Sequence, residues 1–436
     1  MARLGLILLA LVAMLAMVTL ACGKDEEKEE TPAAGALEGM WGTAAGVGDI
    51  GAAWRSEFEA EYGKLPPLPY ITESYDAVIM VALGAEKAQS TDPAKIRDAM
   101  RTLNDPKGEK IPASAAGIKQ ALDLIHQGKA INYQGASGFA GWDAKGDVLS
   151  GYIEVWKIEN SEIVTVRTEA VTLTPATEAA ETPAAETPAA PPAAGGGPLK
   201  IGVLFSFTGD LSEFGPNMEN GAKLAAAQVN AAGGVLGEDV VLKRADDQTS
   251  PNPAVQAAQQ LVDVEGVQAV IGGLASSVTI AVASAVTIPS KIIQISPAST
   301  SVAVTALEDN DFVFRTTVSD LAQGPILAKV AQERGYKKVS TLYVNNPYGQ
   351  GLSEAFADAF EKLGGEVPAQ VSIEQEQPSY LAELRKATEG KPDALAALSY
   401  PQSAAVYLKE ALENNLINTF LFCDGTKSED IIKAVQ

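Results

Sequence analysis

From residue 199 to the end, short runs of consecutive apolar residues alternate with longer stretches in which apolar positions recur every three or four residues. Continuous runs read as strands buried on both faces, and the longer period reads as helices packed on them. The first unit sets the pattern. Leu199-Lys-Ile-Gly-Val-Leu-Phe is followed by a Gly/Asp/Ser turn region and a periodic run over 218–230. The glycine turn Ala231-Ala-Gly-Gly-Val-Leu-Gly then leads to a second apolar run, Val240-Val-Leu-Lys, ending near Asp246-Asp247. Strand, helix and strand in this order force a parallel sheet with helices on its faces. The same reading predicts strands over 200–205, 240–245, 269–271, 292–295, 313–315, 339–343, 366–372, 394–398 and 419–422. It predicts helices over 218–230, 253–264, 278–287, 323–333, 352–363, 380–389 and 403–414. The class is α/β and doubly wound. The strands are too many for one modest sheet, so two lobes divided near residues 317–320 are expected.

The part before residue 199 is mixed. One short strand is expected over 36–45, then a helix over 52–62 with Trp54, Phe58 and Tyr62 four residues apart. Lys64-Leu-Pro-Pro-Leu-Pro is an extended break. Helices follow over 72–88, over 94–103 behind the cap Ser90-Thr-Asp-Pro, and over 116–127. Residues 132–166 read as short hairpin-type strands between Gly/Asp turns. Trp142-Asp-Ala-Lys-Gly-Asp lacks the ligand spacing of a calcium loop and is taken as a hairpin turn. Residues 174–197 repeat Thr, Pro, Ala and Glu and end in three glycines, so no core can form there. The expected partition is 1–22 a signal, 23–35 a charged tether, 36–171 a first folded portion, 172–197 a linker, 198–318 one lobe and 319–436 the other.

Charge and composition narrow the function. A formal net charge of −22 argues against a nucleic-acid partner. His126 is the single histidine, which argues against His-based triads and His-rich zinc sites. The sequence has no Gly-x-x-x-x-Gly-Lys loop and no Gly-x-Ser-x-Gly elbow, so an enzyme is disfavoured, and no catalytic residue, metal or cofactor is expected. Arg3 precedes an apolar run over 4–21, and Ala21 stands before Cys22. This resembles a bacterial lipoprotein signal with Cys22 as the lipidated residue, although Thr19 stands where an aliphatic residue is usual. An uncleaved membrane anchor is the alternative. Either way the body lies outside the cytoplasm, tethered to a membrane. Cys423 is left unpaired and is expected to be a half-buried, unreactive thiol.

Many short motifs fall in one order: Lys200-Ile-Gly-Val-Leu, Thr208-Gly209, Asn230-Ala-Ala-Gly-Gly-Val-Leu-Gly, Asp247, Ile271-Gly-Gly-Leu-Ala-Ser-Ser, Ile295-Ser-Pro-Ala-Ser-Thr, Phe314-Arg315, Asp320, Gln323-Gly324 and Tyr348-Gly-Gln-Gly. From residue 200 onward the chain resembles the extracytoplasmic solute-binding proteins of branched-chain amino acid ABC importers. Residues 36–170 resemble the remaining third of the same family through Glu38-Gly39-Met40, Tyr75-Asp76-Ala, Asp92-Pro93, Gly135-Ala-Ser-Gly138 and the stretch from Gly146-Asp147 to Val155. In the family that third comes last; here it comes first, and no element is duplicated. The resemblance therefore implies two doubly wound lobes with a three-strand hinge (the type I periplasmic-binding-protein fold), circularly permuted, with hinge crossings near Ala45, Ile153 and Val318. A fragment of a tandem gene is the rival reading.

The resemblance also assigns a site. A free amino acid offers a carboxylate, an ammonium and a side chain. Ser276, at a helix start after a strand, would serve the carboxylate with nearby backbone N–H groups. Ala298, Ser299 and Thr300 would share the carboxylate and accept from the ammonium. Asp424, at a strand's C-terminal end, would be the anion for the ammonium. Tyr348 and Tyr400 match positions that contact ligand, and Phe214 and Tyr70 are candidates for the apolar pocket. The implied function is capture of a branched-chain or other aliphatic amino acid and its delivery to an ABC permease and its ATPase, by a monomer. An amide, urea-type or aromatic solute, or a sensing role in signalling, is the alternative.

Overall fold

The computed structural model describes residues 35–48, 52–173 and 197–436. Cys22, the signal, most of the tether and nearly all of the linker lie outside them. Five strands precede the linker: β1 (Trp41–Gly46), β2 (Glu109–Pro112), β3 (Ile131–Gln134), β4 (Ser150–Glu159) and β5 (Glu162–Thr172). After it come β6 (Lys200–Phe205), β7 (Val241–Asp246), β8 (Ala269–Gly272), β9 (Ile293–Ser296) and β10 (Val313–Arg315). The last group is β11 (Val339–Val344), β12 (Gln370–Ile373), β13 (Ala394–Leu398) and β14 (Phe420–Phe422).

These strands make two main sheets. The first, ordered β10-β9-β8-β6-β7, is parallel throughout. The second is ordered β12-β11-β13-β14-β1-β4-β5. Its late strands and β1 run parallel, and β4 and β5 close the edge antiparallel. Trp41 of β1 lies opposite both Leu421 and Lys157, so the early segment is stitched into the sheet built by the late one. Packing confirms the register. Trp156 stacks on Phe422 at 5.8 Å, and a side chain at Gly42 would meet the Trp156 ring at 2.5 Å. Leu37 shares a buried cluster with Ile431 and Ile432 from the other end of the chain.

The early helices belong to the first sheet. Helix Ile71–Ala88 is almost wholly buried, as its nearly uninterrupted apolar run requires. It packs on helix Phe214–Ala231, and Gly221 lets the two backbones approach: a Cβ there would sit 2.2 Å from the Ile71 carbonyl. The chain thus passes between the two sheets after β1, before β4 and after β10.

Four expectations need correction. The strand placed at 36–45 begins at Trp41, because residues 36–39 form a turn. The stretch 132–166 is not a series of hairpins: β3 pairs in parallel with the unanticipated β2, and the hairpin is β4–β5. The strand at 366–372 starts at Gln370, since Pro368 has no N–H to give a ladder. Cys423 is fully buried rather than half-buried, and burial pushes its thiol up to about 12. The Trp142–Asp147 segment is a turn, with Asp143 accepting the N–H groups of Lys145 and Asp147.

Candidate functional site

Loops at the C-terminal ends of the parallel strands of both sheets line a space of about 320 Å³, counted with its opening to solvent. From the first sheet, β8 ends at Gly272 and the chain turns through Leu274-Ala275 into a helix beginning at Ser276. Asp247 fixes this turn: buried behind it, its carboxylate accepts from the Ser206 hydroxyl and the Thr249 and Leu274 N–H groups. β9 ends at Ser296, whose hydroxyl accepts the N–H of Ser299 and donates to the Gly273 carbonyl, so adjacent loops lock together. Buried Arg315, at the end of β10, donates to the carbonyls of Ser299 and Ser301 and pairs with Asp147 at 2.7 Å.

The second sheet supplies the charge. Asp424 follows β14 in a single helical turn and is 3% exposed. The Tyr348 hydroxyl donates to it at 2.8 Å and the Gln323 amide at 2.7 Å. The Tyr70 hydroxyl donates to its other oxygen. Tyr348 stacks parallel on Tyr400, ring centres 5.6 Å apart. Asn346 organises both: its side-chain oxygen caps the helix Pro347–Lys362 at the N–H groups of Tyr348 and Gly349, and its amide donates to the Tyr400 hydroxyl.

Of the residues singled out from sequence, Tyr70, Phe214, Ser276, Ala298, Tyr348, Tyr400 and Asp424 line this space together. Leu211, Leu274, Ala275 and Gly425 complete the wall, so among the described residues Asp424 is its one carboxylic acid. Tyr70 does more than add apolar surface, since its hydroxyl is spent on Asp424. Ser299 and Thr300 are not in the wall. The Ser299 hydroxyl bonds inward to Thr279 and the Leu274 carbonyl. The Thr300 hydroxyl is buried; among the described residues it meets no partner in good hydrogen-bond geometry and lies near the Asp320 carboxyl.

Sequence reasoning gave no site role to Asp320 and Gln323, which open one helix, Asp320–Glu333. Asp320 is fully buried; among the described residues no donor meets its carboxylate in good hydrogen-bond geometry, and the nearby Thr300 hydroxyl is the group that acts on it. Burial, then the Asp424 charge, raises its carboxyl well above the ordinary range, opposed by Thr300 and Arg315. Burial likewise raises Asp424, against the three hydrogen bonds that favour its ionised form. The signal that could have found the pair is their spacing of three, which puts both on one helix face.

The two sides are in contact across the cleft. Asp210 caps the helix Pro401–Glu413 by accepting from the N–H and hydroxyl of Ser403. Gln402 donates to the Gly209 carbonyl at 2.9 Å, and Ser428 bonds Glu213.

Residues 198–434 match the family model described as periplasmic binding protein. A Leu/Ile/Val-binding protein homolog of Brucella melitensis is 36% identical over 169 residues, covering 38% of this chain and 45% of its own. An amino acid binding protein of Pseudomonas aeruginosa is 31% identical over 232 residues, 53% of this chain and 62% of its own. The chain spans about half the length of the curated relatives it matches. Among solved structures, a leucine binding protein from Thermotoga maritima superposes with a TM-score of 0.50 at 29% identity, over 54% of this chain and 66% of its own.

Proposed function

The chain belongs to the periplasmic binding protein family, and on that premise we propose that it captures a free aliphatic amino acid in the cleft and presents it to an ABC permease. The family is one of binding proteins, not enzymes. The observation that carries the ligand reading is Asp424: a buried carboxylate in a wall otherwise without charge. A ligand ammonium answers that charge, and an apolar body fills the remaining space. Asp320 lies close enough to Asp424 for their charges to act on each other, and an incoming ammonium favours the ionised form of both.

Ser276, with the backbone around Leu274 and Ala275, faces the ligand carboxylate, and the Ala298 carbonyl accepts from the ammonium. Phe214, Leu211, Tyr348 and Tyr400 surround the side chain. Such a pocket separates ligands differing by a methylene by only about 10–200-fold, so Leu, Ile and Val are expected to bind within that spread. The protein acts outside the cytoplasm, as a monomer held at a membrane through a lipid on Cys22. Among the described residues no helix is long and apolar enough to cross a membrane.

The chain order is proposed to be a circular permutation of the family's. Its support is the placement of β1 between β14 and β4. The functional reading is tested by thermal unfolding and calorimetry with leucine, isoleucine and valine. A rise of several degrees in Tm and saturable one-to-one heat are expected. If none of the three stabilises the protein, the reading fails.

A further inference from the structure

A second and larger cavity, about 890 Å³ and open to solvent, lies on the far side of Tyr70 and Ile71 from the one that holds Asp424. Its chemistry is different. Lys427, only 4% exposed, pairs with Glu154 at 2.6 Å. The other oxygen of Glu154 accepts from the Thr165 hydroxyl. Lys427 therefore has three N–H donors and one acceptor among the described residues. Glu73, 2% exposed, accepts from the Thr72 hydroxyl, and burial pushes its carboxyl up to about 8. Burial thus favours its neutral form, which adds a further donor. Arg55 stands at the mouth and makes no ion pair among the described residues. With Glu73 neutral, two cations face one anion among the described residues. This is a positive concavity in a chain of net charge −22.

We propose that this cavity is a second binding site, and that it takes a small organic carboxylate. Lys427 and Arg55 hold the anionic group, and the Leu65-to-Pro69 segment with Ile163 covers the carbon skeleton. The walls come from both halves of the molecule: Thr72 and Glu73 open the helix on the first sheet, while Ala45 and Glu154 belong to strands of the second. An occupant touches both halves and holds them together. Tyr70 lines both cavities.

The test is calorimetric titration of the full chain with glutarate. Saturable one-to-one heat is expected, persisting with leucine present. Thr168→Glu puts a negative charge at the mouth without touching the core and should weaken glutarate at least tenfold while leucine binding is kept. The paired change Lys427→Met with Glu154→Gln, which strands no buried charge, should do the same. Asp424→Asn should leave glutarate binding intact, so failure of the amino-acid reading does not touch this one. Absence of saturable heat, displacement of glutarate by leucine, loss of glutarate in Asp424→Asn, or wild-type affinity in the Thr168 and Lys427/Glu154 variants each overturns the proposal.

Discussion

At the scale of single residues, the cleft is a problem in keeping carboxylates charged without water. Asp424 solves half of it with donors from Tyr70, Tyr348 and Gln323; Asp320 has only Thr300 and Arg315 to oppose the effect of burial. Asp424→Asn keeps the shape and removes the charge. A hydrogen bond to a charged group contributes about 1.5–3 kcal/mol, so leucine should bind roughly 10- to 150-fold more weakly by calorimetry. Wild-type affinity in that variant would mean that the ammonium lies elsewhere. Proton uptake supplies a second test. Burial raises both carboxyl pKa values in the free protein, and an incoming ammonium favours the ionised forms, lowering them. The bound state thus holds fewer protons than the free state, so binding releases protons and affinity rises with pH through the free-protein pKa values. Heats of leucine binding measured in buffers of different ionisation enthalpy should differ accordingly; equal heats would contradict the electrostatic account. Asp424 was legible because an acid between an apolar strand and a glycine is conspicuous. Asp320 was not, because an Asp opening a helix looks like a cap.

At the scale of elements, apolar period found nearly every strand and helix after the linker, and it failed at consistent places. The helices expected from 218, 323 and 352 begin at Phe214, Asp320 and Pro347. In each case the missing first turn carries a residue that serves the cleft rather than the helix's own packing: Phe214, Asp320 and Tyr348. Such turns break the pattern because they face a ligand space. The short β2, Glu109–Pro112, was hidden for a different reason: it is polar on most of its surface and pairs with a single neighbour. The helix start at Pro347 also has a mechanical role. Asn346 satisfies two N–H groups there and anchors Tyr400, so Asn346→Ala removes a cap and frees two aromatic walls together. It should lower stability by about 0.5–2 kcal/mol in denaturant titrations. It should also weaken leucine binding severalfold, with Asn346→Asp restoring the stability. Unchanged affinity would show that the tyrosines are positioned by stacking alone.

At the scale of the whole molecule, the seven-stranded sheet is assembled from strands far apart in sequence, and nothing in its geometry depends on which of them is made first. Leu37 buries itself beside Ile431 and Ile432, with Val435 packed against the same cluster, so the segment entering β1 and the segment leaving β14 already lie together. A chain that begins at residue 198, runs to 436 and continues directly into 36–171 would use a short join there and dispense with the linker between 171 and 198. Loop-closure entropy changes by only about 0.6 kcal/mol for each doubling of loop length, so the exchange is close to neutral. The Trp156–Phe422 stack and the β1 ladders are unaltered. The reordered chain should therefore melt cooperatively within a few degrees of the original and bind leucine with the same affinity. Two separate transitions, or a chain that no longer binds, would mean that the present order is required for the sheet to form and would remove the permutation from the account.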